Sequence, residues 1–192
     1  MFDELIRSFA SLFVIMNPFA SIPIFLGVTK DSRYKSKAAT QAISVAAGVL
    51  FSFLFFGRFI LMAFGITLHS LKVGGGIILG ILGIQLVLGR SIFEKERKYT
   101  PALTLIGTPM LTGPGVITMS MILVETYGHL ITALASIVSL TLSWIILRTS
   151  EYIYKFAGEN AVDIVSRVMG LLLTATATEL VISGFQSILG AP

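Results

Sequence analysis

Along this chain, long apolar stretches alternate with short segments rich in glycine or charge. The stretches cover residues 5–28, 39–62, 71–88, 102–124, 130–147 and 164–189. A helix rises about 1.5 Å per residue, so roughly 20 apolar residues cross a hydrocarbon core about 30 Å thick. The pattern predicts an all-α polytopic membrane protein with six transmembrane helices in one domain over residues 1–192. The first stretch is not read as a cleaved signal peptide. Asp3 and Glu4 stand where such a leader carries positive charge, and Asn17-Pro18 interrupts its apolar run.

Two of the stretches contain a similar interruption. Asn17-Pro-Phe-Ala-Ser-Ile-Pro23 lies in the first and Thr108-Pro-Met-Leu-Thr-Gly-Pro114 in the fourth. Both read polar-Pro-x-x-x-x-Pro, with a hydroxyl three residues after the first proline (Ser21 and Thr112). Proline removes an N–H donor and crowds the preceding turn, so two prolines at this spacing predict a break in helices 1 and 4. The correspondence extends further. Lys72-Val-Gly-Gly75 opens the third stretch and Arg167-Val-Met-Gly170 the sixth, with Gly89 and Gly184 downstream. Pro18 and Pro109 are 91 residues apart, and Gly75 and Gly170 are 95 apart. Two halves, about 1–90 and 100–190, each with an odd number of spans, must cross the membrane in opposite senses. The expected architecture is a 3+3 inverted repeat, and matching breaks in its halves point to a transporter-like binding site.

Composition agrees with a bilayer. The 192 residues are 55% hydrophobic and 12% charged, about half the charged share of a soluble domain, and mean hydropathy is +0.90. The net charge of +4 comes from basic loops rather than a nucleic-acid-binding patch. Lys30, Arg33, Lys35 and Lys37 follow the first stretch, Arg90, Lys95, Arg97 and Lys98 the third, and Arg148 and Lys155 the fifth. The positive-inside rule places these loops in the cytoplasm and both termini outside the cytoplasmic membrane. The absence of cysteine excludes disulfides, thiolate metal sites and cysteine nucleophiles. No cofactor is expected, and the sequence does not set an oligomeric state.

Met16-Asn-Pro-Phe-Ala-Ser-Ile-Pro-Ile-Phe25, Gly74-Gly-Gly76, and Pro109-Met-Leu-Thr-Gly-Pro-Gly115 with Ile117-Thr118 together resemble the MarC family of integral membrane proteins. The resemblance covers essentially the whole chain. It implies relatives among archaeal small neutral amino acid transporters, so transport of glycine, alanine or similar solutes is the expected activity. Glu179 departs from the neutral polar residue more usual in that family.

Breaking a helix at membrane depth exposes backbone groups that hydrocarbon cannot satisfy, so such a break must be buried in protein or face a wet cavity. A half-helix N-terminus offers N–H groups and partial positive charge to a carboxylate, and the opposite terminus offers carbonyls to an ammonium. The expected substrate-binding residues are therefore Asn17, Pro18, Ser21 and Pro23 from one half, and Thr108, Thr112, Gly113, Pro114 and Gly115 from the other. The bland alternative is a pair of structural proline kinks healed by neighbouring hydroxyls. In the sixth stretch Thr176, Glu179 and Ser183 share a face by their spacing. With Gln85 they form an expected polar pathway, Glu179 serving either to couple a proton or as a structural hydrogen bond. Gly76, Gly80 and Gly83 read as a helix-packing stripe. The expected function is alternating-access transport of small neutral amino acids, coupled to a proton or sodium ion, with membrane lipid as the other partner. The rivals are a passive channel or facilitator, an exporter of other small solutes, and a structural or lipid-handling membrane protein. No enzyme motif is present: the chain has no His-Glu-x-x-His, Gly-x-Ser-x-Gly or nucleotide-binding loop.

Overall fold

The computed structural model describes residues 2–29, 35–89 and 111–190, and every regular element among them is a helix. The helices are α1 (Phe2–Met16), α2 (Pro18–Val28), α3 (Lys35–Ala63), α4 (Leu68–Val87), α5 (Pro114–Arg148) and α6 (Ser150–Leu189). Among the described residues, 5 helical runs are long and apolar enough to cross a membrane. Large apolar side chains such as Phe56, Phe59, Ile81, Ile137 and Leu171 point outward. In water such a surface would drive association; in a bilayer it is the lipid-facing side.

The first expected span is two helices, α1 and α2, joined at Asn17. The third begins at Leu68, ahead of the expected residue 71. Thr67 caps it: the Thr67 Oγ1 accepts the Ser70 N–H at 3.1 Å. The fourth and fifth expected spans meet within α5. Gly128, at φ 83 and ψ 167, is the only residue there outside helical geometry, and Gly158 interrupts α6 in nearly the same conformation (φ 80, ψ 166). A positive φ of this size suits glycine, which has no Cβ to clash. The first part of the fourth span, including Thr108 and Pro109, lies outside the described residues.

Two long antiparallel pairs frame the molecule. Gly76 of α4 sits against Ala177 and Val181 of α6, Gly83 against Gly170 and Thr174, and Gly184 against Val73. Numbers rise along one helix as they fall along the other. The small residues let the backbones approach closely, as membrane helices do where lipid gives no hydrophobic drive. The stripe is not uniform. A Cβ on Gly83 would lie 2.8 Å from both the Gly170 carbonyl oxygen and the Thr174 amide nitrogen, whereas a Cβ on Gly80 meets only the Ala177 Cβ, at 3.7 Å. Gly83→Ala should therefore destabilise the protein by about 1–3 kcal/mol through overpacking, with Gly80→Ala close to neutral. Thermal unfolding of the two variants in detergent checks this.

The second pair is α3 with α5. The Trp144 indole N–H donates to the Thr40 hydroxyl at 3.1 Å, Phe55 stacks on His129, and Gly57 abuts Met121. Lys35 closes this pair by binding Glu151 at 2.7 Å, and Lys155 binds the other oxygen of Glu151 at 3.0 Å. Hydrogen bonds from Lys35 and Lys155, reinforced by their charge, hold the Glu151 carboxyl down from 4.5 to about 2. A carboxyl with a depressed native pKa contributes its full stabilisation above its unfolded value and loses it as pH falls through the native one. Melting temperatures of wild type and Glu151→Gln should differ above pH 4.5 and converge near pH 2.

Between these pairs, α1 packs on α5, and α2 packs on α5 and α6. Leu12, Ile15 and Met16 of α1, Leu79 of α4, Val116 of α5 and Ala177 of α6 belong to one buried cluster.

Candidate solute-binding site

The first break is built by Asn17. Alone among the described non-glycine residues it has a positive φ (φ 38, ψ 64). Asparagine tolerates this left-handed conformation because its short amide bonds locally. Its N–H still donates to the Phe13 carbonyl at 3.1 Å, completing α1. Its Oδ1 accepts the Ala20 N–H at 3.3 Å, capping α2. Pro18 follows at the first helical position, where no N–H is needed. One expectation changes here: Pro23 does not interrupt the chain. It lies inside α2 on an exposed position. The helix gives up the one bond that its N–H would have made to the Phe19 carbonyl and continues.

The second break differs in its cap. Helix α5 starts with Gly113 as the cap residue and Pro114 at the first position, and the cap residue makes no side-chain bond to the first turn. The Gly113 carbonyl accepts from Val116 N at 3.0 Å and Ile117 N at 3.2 Å. The seat filled by Pro18 in the first half is thus filled by Pro114, the second proline of its motif. These two are 96 residues apart, close to the spacing of 95 between Gly75 and Gly170.

This uncapped end opens on a cavity of about 670 Å³. Its wall comes from Val49 of α3, Ile66 in the α3–α4 turn, Ser70, Leu71, Gly74, Gly75 and Ile78 of α4, and Thr112, Gly113, Pro114, Ile117 and Thr118. Among the described residues the wall is chiefly apolar, with the hydroxyl-bearing side chains of Ser70, Thr112 and Thr118 and no ionisable side chain. Thr118 is buried, and its side chain fills the space where a Cβ on Gly75 would be.

Of the expected substrate-binding residues, Thr112, Gly113 and Pro114 line this cavity. Asn17, Pro18 and Ser21 are buried at the other break and do not. Thr108 lies outside the described residues. Gly115 is buried against protein: a Cβ there would meet the Leu79 side chain and, at 3.4 Å, Ile15. Its lack of a side chain serves helix packing, and it brings the two breaks close together, since Ile15 and Gly115 each lie two residues from one. None of Gln85, Thr176, Glu179 and Ser183 lines the cavity. Thr176 donates to the Leu172 carbonyl at 2.9 Å and Ser183 to the Leu180 carbonyl at 3.2 Å. Glu179 is exposed on the outer face of α6. Sequence reasoning did not pick out Ser70, Gly74, Gly75 and Thr118 as site residues. The Gly74-Gly75 pair and the polar Thr118 within a turn of Gly115 were the available signals.

The chain matches the MarC family integral membrane protein profile over residues 2–189. It is 31% identical to a UPF0056 membrane protein of Methanocaldococcus jannaschii, over 96% of this chain and 97% of that one. It is also 31% identical to a UPF0056 membrane protein of Archaeoglobus fulgidus, over 92% and 90%. To the UPF0056 membrane protein YhcE of Escherichia coli it is 25% identical, over 97% and 94%. No solved structure matches. A profile match spanning nearly every residue, together with helices that turn an apolar surface outward, identifies the chain as a member of the MarC family of integral multi-pass membrane proteins.

Proposed function

We propose that this protein is a secondary carrier that moves small neutral amino acids across the membrane by alternating access. The observation that carries the reading is the uncapped N-terminus of α5 at the wall of the cavity. First-turn N–H groups and the helix dipole favour a carboxylate there. The wall also carries the polar side chains of Ser70, Thr112 and Thr118 on the side of the ammonium group, and its apolar remainder suits a small uncharged side chain. With no ionisable side chain among the described residues of the wall, solutes of net charge are disfavoured, because their desolvation is uncompensated there. The basic-loop pattern puts the mouth of this cavity, near Ile66 and Ser70, on the side opposite the cytoplasm.

Thermal unfolding of the purified protein with the common amino acids tests the binding step. A ligand at about 100 times its Kd stabilises the folded state by ~2.7 kcal/mol, so glycine or alanine should raise the melting temperature while glutamate and lysine leave it unchanged. Counterflow in reconstituted vesicles separates a carrier from a passive pore: preloaded unlabelled alanine should drive transient uptake of labelled alanine, and only a carrier does this. Proton coupling through Glu179 has a separate test. Because Glu179 faces away from the cavity, Glu179→Gln should accumulate alanine under an imposed pH gradient as wild type does; a loss of pH-driven accumulation would restore its coupling role.

A further inference from the structure

The cavity occupies one half of the bundle. It lies beside the start of α4 and is joined by Ile66 to the end of α3. The opposite half is marked by the Lys35–Glu151 ion pair, where α3 begins and α6 starts. Helix α2 runs from the Asn17 break toward that second half, since only residues 30–34 separate its cap Thr29 from Lys35. The later part of α5 runs the same way, because Trp144 bonds Thr40 and Glu151 binds Lys35.

Buried polar groups without partners collect in this closed half. Among the described residues, Asn17 Nδ2, Ser21 Oγ, Ser139 Oγ, Ser143 Oγ and Ser150 Oγ here, and Ser8 Oγ on α1, are buried with no hydrogen-bond partner. Ser21, Ser139 and Ser143 are fully buried and Asn17 is 5% exposed. Ser139 and Ser143 are one turn apart on the same face of α5. A buried hydroxyl or amide N–H left unpaired is destabilising, so a group of them needs an explanation beyond packing.

The internal spacing provides one. Gly113, Pro114 and Ile117 line the open cavity; the 96-residue spacing of the two helix-start prolines carries them onto Asn17, Pro18 and Ser21. The 95-residue spacing of the glycines carries the lining residue Val49 onto Trp144, next to Ser143. Two positions of the open wall, Gly113 and Ile117, thus transpose onto Asn17 and Ser21, whose polar atoms have no partner among the described residues, and a third, Val49, transposes to the neighbour of Ser143. We propose that Asn17, Ser21, Ser139 and Ser143 form the wall of a second solute cavity, closed in this structure, which opens toward the Lys35 end in the alternate conformation. The orphaned atoms then face water and the same small zwitterion. This rests on the carrier reading above.

The chain has no cysteine, so single thiols report cleanly. Ser70→Cys, Ser139→Cys, Ser143→Cys and Ser8→Cys are each reconstituted in sealed vesicles. An impermeant methanethiosulfonate is then applied from either side, with and without saturating alanine. Ser8 is the control, being fully buried and unpartnered on α1 away from the transposed wall. The expected result is that Ser139→Cys and Ser143→Cys react only from the side opposite to that which labels Ser70→Cys. Their rates should exceed that of Ser8→Cys at least tenfold, and alanine should change them in the opposite direction to Ser70→Cys. Rates equal to Ser8→Cys from both sides, in vesicles whose wild-type protein shows alanine counterflow, overturn the second cavity and leave the carrier reading standing. Absence of counterflow in wild type overturns the carrier reading, whatever the thiols do. As a check on folding, Ser139→Ala/Ser143→Ala should melt no lower than wild type, since it removes unpaired hydroxyls, yet slow counterflow. A double variant that transports at the wild-type rate also counts against the cavity.

Discussion

Replacing Asn17 by alanine should destabilise the protein by about 2–3 kcal/mol, whereas glycine at the same position should cost only a few tenths. Two separate losses add in the alanine variant. The Oδ1 that accepts the Ala20 N–H disappears; losing an N-cap to alanine typically costs about 1 kcal/mol. A Cβ is also forced into the left-handed region at φ 38, which costs roughly another 1–2 kcal/mol for a residue without asparagine's local bond. Glycine removes the cap but accepts the backbone, so the comparison isolates the conformational term. Aspartate keeps the cap oxygen but places a charge where Asn17 is 95% buried, with Nδ2 unpartnered. Unfolding of the alanine, glycine and aspartate variants in detergent should rank glycine above alanine. If alanine matches glycine, Asn17 is not held left-handed by the fold, and the break between α1 and α2 has another origin.

That break was readable in the sequence because its causes are local. A proline needs no N–H at the first helical position, and an asparagine before it both caps and turns the chain. The same local logic marks Gly113-Pro114. It misjudged Pro23, because one missing hydrogen bond bends a helix without ending it when the flanking residues pack. The boundary in α5 near Gly128 was readable from the polar punctuation around it. The cavity wall was not. Ser70, Gly75 and Thr118 are brought together only by the packing of α4 against the start of α5, a relation between distant segments. Glu179 shows another limit. Its depth along α6 follows from counting residues, but its direction depends on which face meets α4. Gly170, Thr174, Ala177 and Val181 make that contact. Glu179 is two residues from Ala177, about 200° around the helix, and so points outward.

Placing a carboxylate at the open helix end should abolish amino acid binding. Gly113 has φ −64 and ψ 177, extended backbone that any residue adopts, so Gly113→Asp meets no conformational barrier. Its side chain can accept first-turn N–H groups, a cap bond that Gly113 does not make. A substrate carboxylate would then lose its donors and meet a like charge about 4 Å away, a repulsion of roughly 4 kcal/mol at an effective dielectric near 20. That exceeds a hundredfold in affinity and outweighs anything gained elsewhere in the cavity. Gly113→Asn separates the two causes. It can occupy the same N–H groups without charge, so it should weaken binding by about fivefold, the worth of one hydrogen bond of ~1 kcal/mol. Titrating glycine and alanine by thermal shift gives both affinities, and melting without ligand confirms that each variant folds. A graded series, wild type above asparagine above aspartate, assigns the carboxylate to the α5 terminus. Equal affinity in all three would move the carboxylate away from that end and leave the cavity to a different solute.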